Sequence, residues 1–156
     1  ADTPEAVTRL WRTRKALSPA LRNVAPKKIN EDVVVPVSRI PDLIDGLEQL
    51  SREFGVTIVN FGHAGNGNIH VNLLVDPDDP EQMAAADPCL DAVFDLVLSL
   101  EGTLSGEHGI GWVKRMFVDR ELDQTSLQLM AAIKRQFDPD NILNPGVGLP
   151  DLEPRT

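Results

Sequence analysis

Residues 62–70 read Gly62-His63-Ala64-Gly65-Asn66-Gly67-Asn68-Ile69-His70. They are flanked by two runs rich in β-branched or bulky apolar residues, Val56-Thr57-Ile58-Val59-Asn60-Phe61 and Val71-Asn72-Leu73-Leu74-Val75. Both runs end in turn formers and read as strands. Asn66-Gly67 signals a two-residue type I′ hairpin turn, which needs positive φ at both central positions. That turn sets Gly65 opposite Asn68, Ala64 opposite Ile69 and His63 opposite His70. Directly opposed side chains share a face, with Cβ atoms roughly 5 Å apart. Two imidazoles that close can hold one metal ion through bonds of about 2.0–2.1 Å. On one continuous strand their odd separation would send them to opposite faces. The same residues also fit a glycine-rich hairpin with two hydrogen-bonded histidines and no metal.

A second cluster bears on that choice. Residues 102–111 read Gly102-Thr103-Leu104-Ser105-Gly106-Glu107-His108-Gly109-Ile110-Gly111, and all three histidines of the chain lie in these two stretches. Glu107 supplies the carboxylate that would complete a His63-His70-Glu107 site with an open position. Four glycines in ten residues preclude regular structure throughout. Thr103 or Ser105 is expected to cap a helix starting near Gly106. Neighbours in its first turn point about 100° apart, so Glu107 can reach a metal while His108 faces the substrate. A helix N-terminus there disfavours an imidazolium, as suits a general base.

The rest of the composition narrows the class. The length of 156 residues is enough for one domain with a core. A net charge of −9, from 24 acids and 15 bases, argues against a nucleic-acid partner. Tyr is absent, which leaves little for a base-stacking platform. Seven of the fifteen bases (Arg9, Arg12, Arg14, Lys15, Arg22, Lys27 and Lys28) lie in the first 28 residues. They form either a solvated helix face or a local positive field for an acid substrate. The single cysteine, Cys89, excludes an internal disulfide and a cysteine-based metal cluster, and reads as a small core residue. No run approaches ~20 apolar residues and no secretory signal pattern opens the chain. Because it starts at Ala1, in the run-up to a helix, the chain reads as a C-terminal fragment of a longer protein.

Along the chain, residues 4–17 read as a helix capped by Thr3, with Val7, Leu10, Trp11 and Leu17 toward the core. Residues 18–30 read as irregular and 32–37 as a strand. A helix from about Arg39 to Phe54 follows Ser38 and ends at Gly55 in the left-handed conformation. Another runs from about Pro80 to Leu100 with a break or kink at Asp87-Pro88. A last helix is expected over 119–137, with Leu122, Leu127, Met130, Ile133 and Phe137 inward. Lys114 reads as a snorkelling surface lysine, and the final residues as disordered. The β-α-β-β-α order is most of a ferredoxin-like α+β sandwich, an antiparallel sheet with helices on one face, lacking one strand expected upstream. Extra C-terminal helices follow it.

GHAGNGNIH, GTLSGEHGIG and the near-terminal ILNPG at 142–146 occur in series across essentially the whole chain. Together they resemble the C-terminal cap region of the FAD-linked oxidases, a family with D-lactate dehydrogenase, glycolate oxidase and D-2-hydroxyglutarate dehydrogenase members. The resemblance implies a cap domain over 1–156, with a ferredoxin-like part at 1–101 and a catalytic loop and helices at 102–148. It implies a missing N-terminal FAD-binding domain, to which residues near Asn144 run back. It further implies Arg14 as the anchor of a substrate carboxylate, a job suited to a planar two-pronged cation. Ser18 and Asn72 would be further substrate contacts. Some relatives carry a substrate-binding lysine just before the next strand. Lys28 is nearest here but offset, with Asn30 standing near the equivalent place. Asn66 stands where relatives usually carry Asp.

The function so implied is oxidation of a small D-2-hydroxy acid to the 2-oxo acid by the intact flavoprotein. His63, His70 and Glu107 would hold Zn or Mn(II), His108 would be the base, and the fragment alone would be inactive. A cytoplasmic location follows, peripheral to the membrane if the electron acceptor is there, with a homodimer or electron-transfer protein as further partners. Two readings from other classes remain open: a non-catalytic α+β binding module, and a small zinc hydrolase using the same three ligands.

Overall fold

Polar residues on alternate positions of apolar strands decide this architecture. In the computed structural model, which describes residues 1–150, a three-stranded antiparallel sheet forms from β1 (Lys27–Val34), β2 (Thr57–His63) and β3 (Asn68–Val75), in the order β1-β3-β2. β3 is central and every residue in it is buried. Its odd-numbered side chains Ile69, Val71, Leu73 and Val75 join Val33 and Val35, Leu43 and Leu47 of α2 (Ile40–Phe54), and Cys89, Val93, Phe94 and Val97 of α3 (Pro80–Ser99) in one apolar core. The even positions Asn68, His70 and Asn72 point to the other side of the sheet, as period-two alternation requires. That second face is polar and covered, and it carries the site.

The strand order, with β1 and β2 parallel to each other and joined by α2, is the expected ferredoxin-like split β-α-β arrangement. The outer edge of β1 gains one further rung from the segment after α3, where Val34 and Thr103 exchange both backbone hydrogen bonds, at 3.1 and 2.8 Å. Gly55 ends α2 at φ 65°, as expected of a left-handed cap.

Several expectations need correction. β1 begins at Lys27, inside the stretch expected to be irregular. Lys27 to Asp32 pair in register with Val75 to His70, and the run is polar because one of its faces looks into the site. α1 (Pro4–Ala20) is capped by Thr3 and runs through Ser18 and Pro19, yet it buries no residue. Val7, Leu10, Trp11 and Leu17 are exposed rather than in the core. α3 passes Pro88 without a break. The helix expected over 119–137 is two helices, α4 (Val118–Glu121) and α5 (Gln124–Phe137). Leu122 turns extended between them and Asp123 caps α5 by accepting from the Thr125 and Ser126 amides. Only Leu127 and Ala131 of α5 are buried, so Met130, Ile133 and Phe137 face outward. The expectation for the last six residues lies outside the described ones.

Candidate functional site

The hairpin is looser than a two-residue turn. A short 3-10 turn spans Ala64–Asn66, and only Gly67 has positive φ, at 80°. The strands close on the pair His63↔Asn68, with Phe61↔His70 two rungs away on the same face. The register is therefore two residues from the expected one. A shift of two keeps every side chain on its face, so His63 and His70 still share one side, diagonally. Their ring centroids are 5.5 Å apart. Gly67 is forced by space as well as by φ, since a Cβ there would lie 2.0 Å from the Val35 carbonyl oxygen.

Glu107 reaches this pair from the glycine-rich segment. Its Oε1 lies 3.6 Å from His63 Nε2 and 3.2 Å from His70 Nε2. The three potential ligand atoms lie within 4.8 Å of one another. Donors around a tetrahedral zinc stand about 3.4 Å apart, a value the two measured separations bracket, so these residues fit a divalent ion. Two imidazoles and one carboxylate suit Zn or Mn(II) better than Mg or Ca. Burial is the main influence on His70; it and the neighbouring His108 and His63 outweigh Glu107 and hold the imidazole pKa below its ordinary value. A neutral imidazole is the ligating form.

His108 stacks on His70 at 5.3 Å, and its Nε2 is 3.9 Å from the same Glu107 oxygen. The segment from Gly102 to Val113 is not the helix expected near Gly106; it runs as bends and turns. Glycines at 102, 106, 109 and 111 deprive a helix of side-chain packing and cost it backbone entropy. In place of a helix terminus, the amides of Gly106, Glu107 and His108 all donate to Asp32 Oδ2, at 2.7, 2.5 and 3.1 Å.

Lys114 is the other correction. It is 3% exposed, not a surface lysine. Its Nζ donates to Asp32 Oδ1 at 2.8 Å and to the Asp32 main-chain oxygen at 2.7 Å, with Glu31 Oε2 at 3.5 Å. Burial pushes the Asp32 carboxyl up, but the hydrogen bonds from Lys114 and from the Glu107 and His108 amides outweigh it and hold the group well below its ordinary range. For Glu31 the balance reverses: burial raises its pKa more than Lys114 lowers it. Glu31, Asp32 and Lys114 escape a sequence reading because each looks like surface polarity. The available signal is two adjacent acids opening the run Val33-Val34-Val35, a place where a charge needs a buried counter-charge.

The expected substrate residues gather on the same face. Arg14 of α1 lies over the Phe61 ring at 5.7 Å, and it lines a cavity of about 500 Å³ with Val7, Leu10, Trp11, Lys15 and His63. Ser18 Oγ accepts from Lys28 Nζ at 2.7 Å. Register puts Lys28, Asn30 and Asp32 opposite Leu74, Asn72 and His70. Asn72 is wholly buried. Its Nδ2 donates to the Val59 and His70 carbonyls, and its buried Oδ1 has no hydrogen-bond partner among the described residues. Asn144 lies elsewhere, in a C-terminal turn at φ 48°, lining a cavity with Lys134, Arg135 and Asp138.

Comparison with known proteins identifies the family of the chain. Residues 1–147 match the family described as FAD linked oxidases, C-terminal domain. The chain is 34% identical over 146 residues to glycolate oxidase subunit GlcD of Bacillus subtilis, covering 94% of this chain and 31% of that protein. It is 35% identical over 152 residues to the mitochondrial D-lactate dehydrogenase [cytochrome] of Arabidopsis thaliana, covering 96% and 27%. It is 30% identical over 151 residues to D-2-hydroxyglutarate dehydrogenase of Stutzerimonas stutzeri, covering 94% and 32%. The chain thus spans roughly a third of the length of the curated relatives it matches. It belongs to the FAD linked oxidases, as their C-terminal domain.

Proposed function

We propose that this chain is the substrate-binding, base-bearing part of a flavin-dependent dehydrogenase that oxidises a small D-2-hydroxy acid, such as D-lactate or glycolate, to the 2-oxo acid. One observation carries the reading: Glu107 Oε1 lies between His63 and His70 with His108 beside it, on the sheet face away from the apolar core, where Arg14 of α1 lies over Phe61. His63, His70 and Glu107 would hold Zn or Mn(II). A bound ion would lower the pKa of the substrate hydroxyl, and a flavin held by the FAD-binding domain would supply the hydride acceptor. Arg14 binds the substrate carboxylate through paired charge-assisted hydrogen bonds and fixes which hydrogen of Cα points away from the sheet. Asn72, on the same face of β3 as His70, is read as a further substrate contact. His108 takes the hydroxyl proton at its imidazole nitrogen as the C–H bond breaks.

The FAD-binding domain of the same protein is the principal partner, with a second subunit or an electron-transfer protein as further ones. Asn144 and the 142–146 turn are read as running back to that domain. Leu129, Met130, Ile133, Phe137 and Ile142 are exposed along α5 and the turn after it, apolar surface that a covering domain would bury. Residues 1–101 are read as the sheet-bearing part and 102–148 as the catalytic loop with its helices. The protein is read as cytoplasmic, peripheral to the membrane where its acceptor is there. Among the described residues no helix is long and apolar enough to cross a membrane.

The test is His108→Ala in the intact flavoprotein. Turnover of the D-2-hydroxy acid should fall by about 10²–10⁴-fold, the usual worth of a positioned base, with flavin absorbance retained. Unchanged turnover removes His108 as the base. The isolated chain should show no flavin absorbance and no dehydrogenase activity, and ester or amide cleavage by it would favour a hydrolase instead.

A further inference from the structure

Asp32 is wholly buried, and the mechanism above gives it no part. It belongs to β1, which is paired with β3 along all eight residues. The segment carrying Glu107 and His108 has no such support, since residues 104–113 belong to neither helix nor strand. Three consecutive amides of that segment converge on the single oxygen Asp32 Oδ2. This is the geometry of a backbone nest around an anion, with the anion supplied by the protein itself. The amides that donate belong to Glu107 and His108 and to the residue before them, so the carboxylate fixes where both side chains start. Asp32 Oδ1 also faces the imidazole, 3.5 Å from His108 Nδ1. Lys114 neutralises that oxygen from the far side. The approach is tight: a Cβ on Gly106 would lie 2.5 Å from Asn68 Nδ2, so a larger residue at 106 would have to displace the Asn68 side chain.

We propose that Asp32, with Lys114 as its counter-ion, is the positioning residue of the site. It ties the glycine-rich segment to the rigid strand so that the Glu107 carboxylate meets His63 and His70 and His108 faces the substrate. This rests on the functional reading above, because the groups it positions are the ones assigned there.

The experiment uses the intact flavoprotein stripped of metal, with Asp32→Asn, Glu107→Ala, His108→Ala and the double variants. Zinc affinity is read by calorimetric titration, and kcat and KM by turnover of the metal-loaded enzyme. Asp32→Asn should weaken the zinc Kd by about 10–100-fold, as loss of an outer-shell partner does, and lower kcat more than it raises KM. In the Glu107→Ala background its cost to the zinc Kd should vanish, and in the His108→Ala background its cost to kcat should vanish. Wild-type Kd and kcat in the folded variant, or costs that add in full, would overturn the proposal. If Asp32→Asn does not fold, Asp32→Glu keeps the charge but displaces the accepting oxygen by one methylene, and the same outcomes decide.

Failure of the underlying reading has a different signature. The wild-type protein then binds no zinc and His108→Ala turns over normally. Amide hydrogen exchange decides the anchoring in that case. Selective loss of protection at Gly106, Glu107 and His108 in Asp32→Asn upholds it, and protection that is unchanged, or lost evenly along the chain, overturns it.

Discussion

His70 lies diagonally across the hairpin from His63, because His63 pairs with Asn68 and His70 with Phe61. The two rings still meet nearly at right angles, 79° between planes, on the side of the sheet away from the apolar core. The diagonal leaves a gap that neither imidazole fills, and Glu107 Oε1 occupies it. A one-residue slip would have sent one histidine among Ile69 and Val71, so the even-numbered shift is what preserves the constellation.

Removing any one of the three groups should therefore weaken metal binding. His70→Ala, His63→Ala and Glu107→Ala are each expected to weaken the zinc or manganese Kd beyond the ~10–100-fold typical of losing an outer-shell partner. Calorimetric titration of chelator-treated intact protein measures this. Wild-type affinity in all three variants would mean that the cluster holds no ion.

Arg14 should act on the substrate without touching the metal. It lies over the Phe61 ring, an arrangement that a guanidinium favours and an ammonium matches poorly. Losing a charge-assisted hydrogen bond costs ~1.5–3 kcal/mol, so Arg14→Met should raise KM for the hydroxy acid by about 10–150-fold. Arg14→Lys should fall between the two. The zinc Kd should stay at its wild-type value, and steady-state kinetics beside calorimetry separates the effects.

Much of this was legible because hydrophobic periodicity reports burial. The run of β-branched and bulky apolar residues Val71-Asn72-Leu73-Leu74-Val75 located β3, and the helical pattern ending at Gly55 located α2. The three histidines were legible because the chain has no others and all lie in two short stretches, and Glu107 because it adjoins one of them. What stayed hidden obeys the same rule in reverse. Lys27 to Asn30 looked irregular because one face of that strand meets polar groups, not core. Trp11, Ile133 and Phe137 looked like core because their spacing is helical, yet amphipathic spacing identifies an apolar face without saying what covers it. Lys114 looked like surface because a lone lysine gives no sign of a carboxylate 82 positions earlier.

Gly67 and Gly55 separate conformational cost from steric cost. Both have positive φ, at 80° and 65°, where a side chain costs ~1–2 kcal/mol. A Cβ at Gly55 meets nothing within 4 Å, whereas at Gly67 it would meet the Val35 carbonyl oxygen, and the Val35 amide donates to the Gly67 oxygen at 3.2 Å. Gly55→Ala should lower Tm by about 2–8 °C and leave zinc affinity intact. Gly67→Ala should lower Tm further and weaken zinc binding, because the hairpin must leave β1 to make room. Thermal melts with zinc titrations on both variants check this, and equal effects would refute the steric account.

Glu31 gives a pH dependence whose sign follows from its surroundings. Burial raises its pKa above the ordinary 4.5, against the charge and hydrogen bond of Lys114, while Asp32 adds to the rise. The folded state therefore holds the Glu31 proton more tightly than the unfolded state. Its contribution to stability is greatest below about pH 4.5 and falls as pH rises from there through the folded value. Asp32 has the opposite sign and a lower window, contributing stability above about pH 3.8 and losing it as pH falls below. Glu31→Gln imitates the protonated form and keeps an acceptor for Lys114. It should match wild type near pH 4 and become more stable than wild type as pH rises toward 8. Thermal melts of both proteins across that range test it. A Glu31→Gln variant less stable than wild type at neutral pH would show that pairing with Lys114 outweighs the cost of burying the carboxylate.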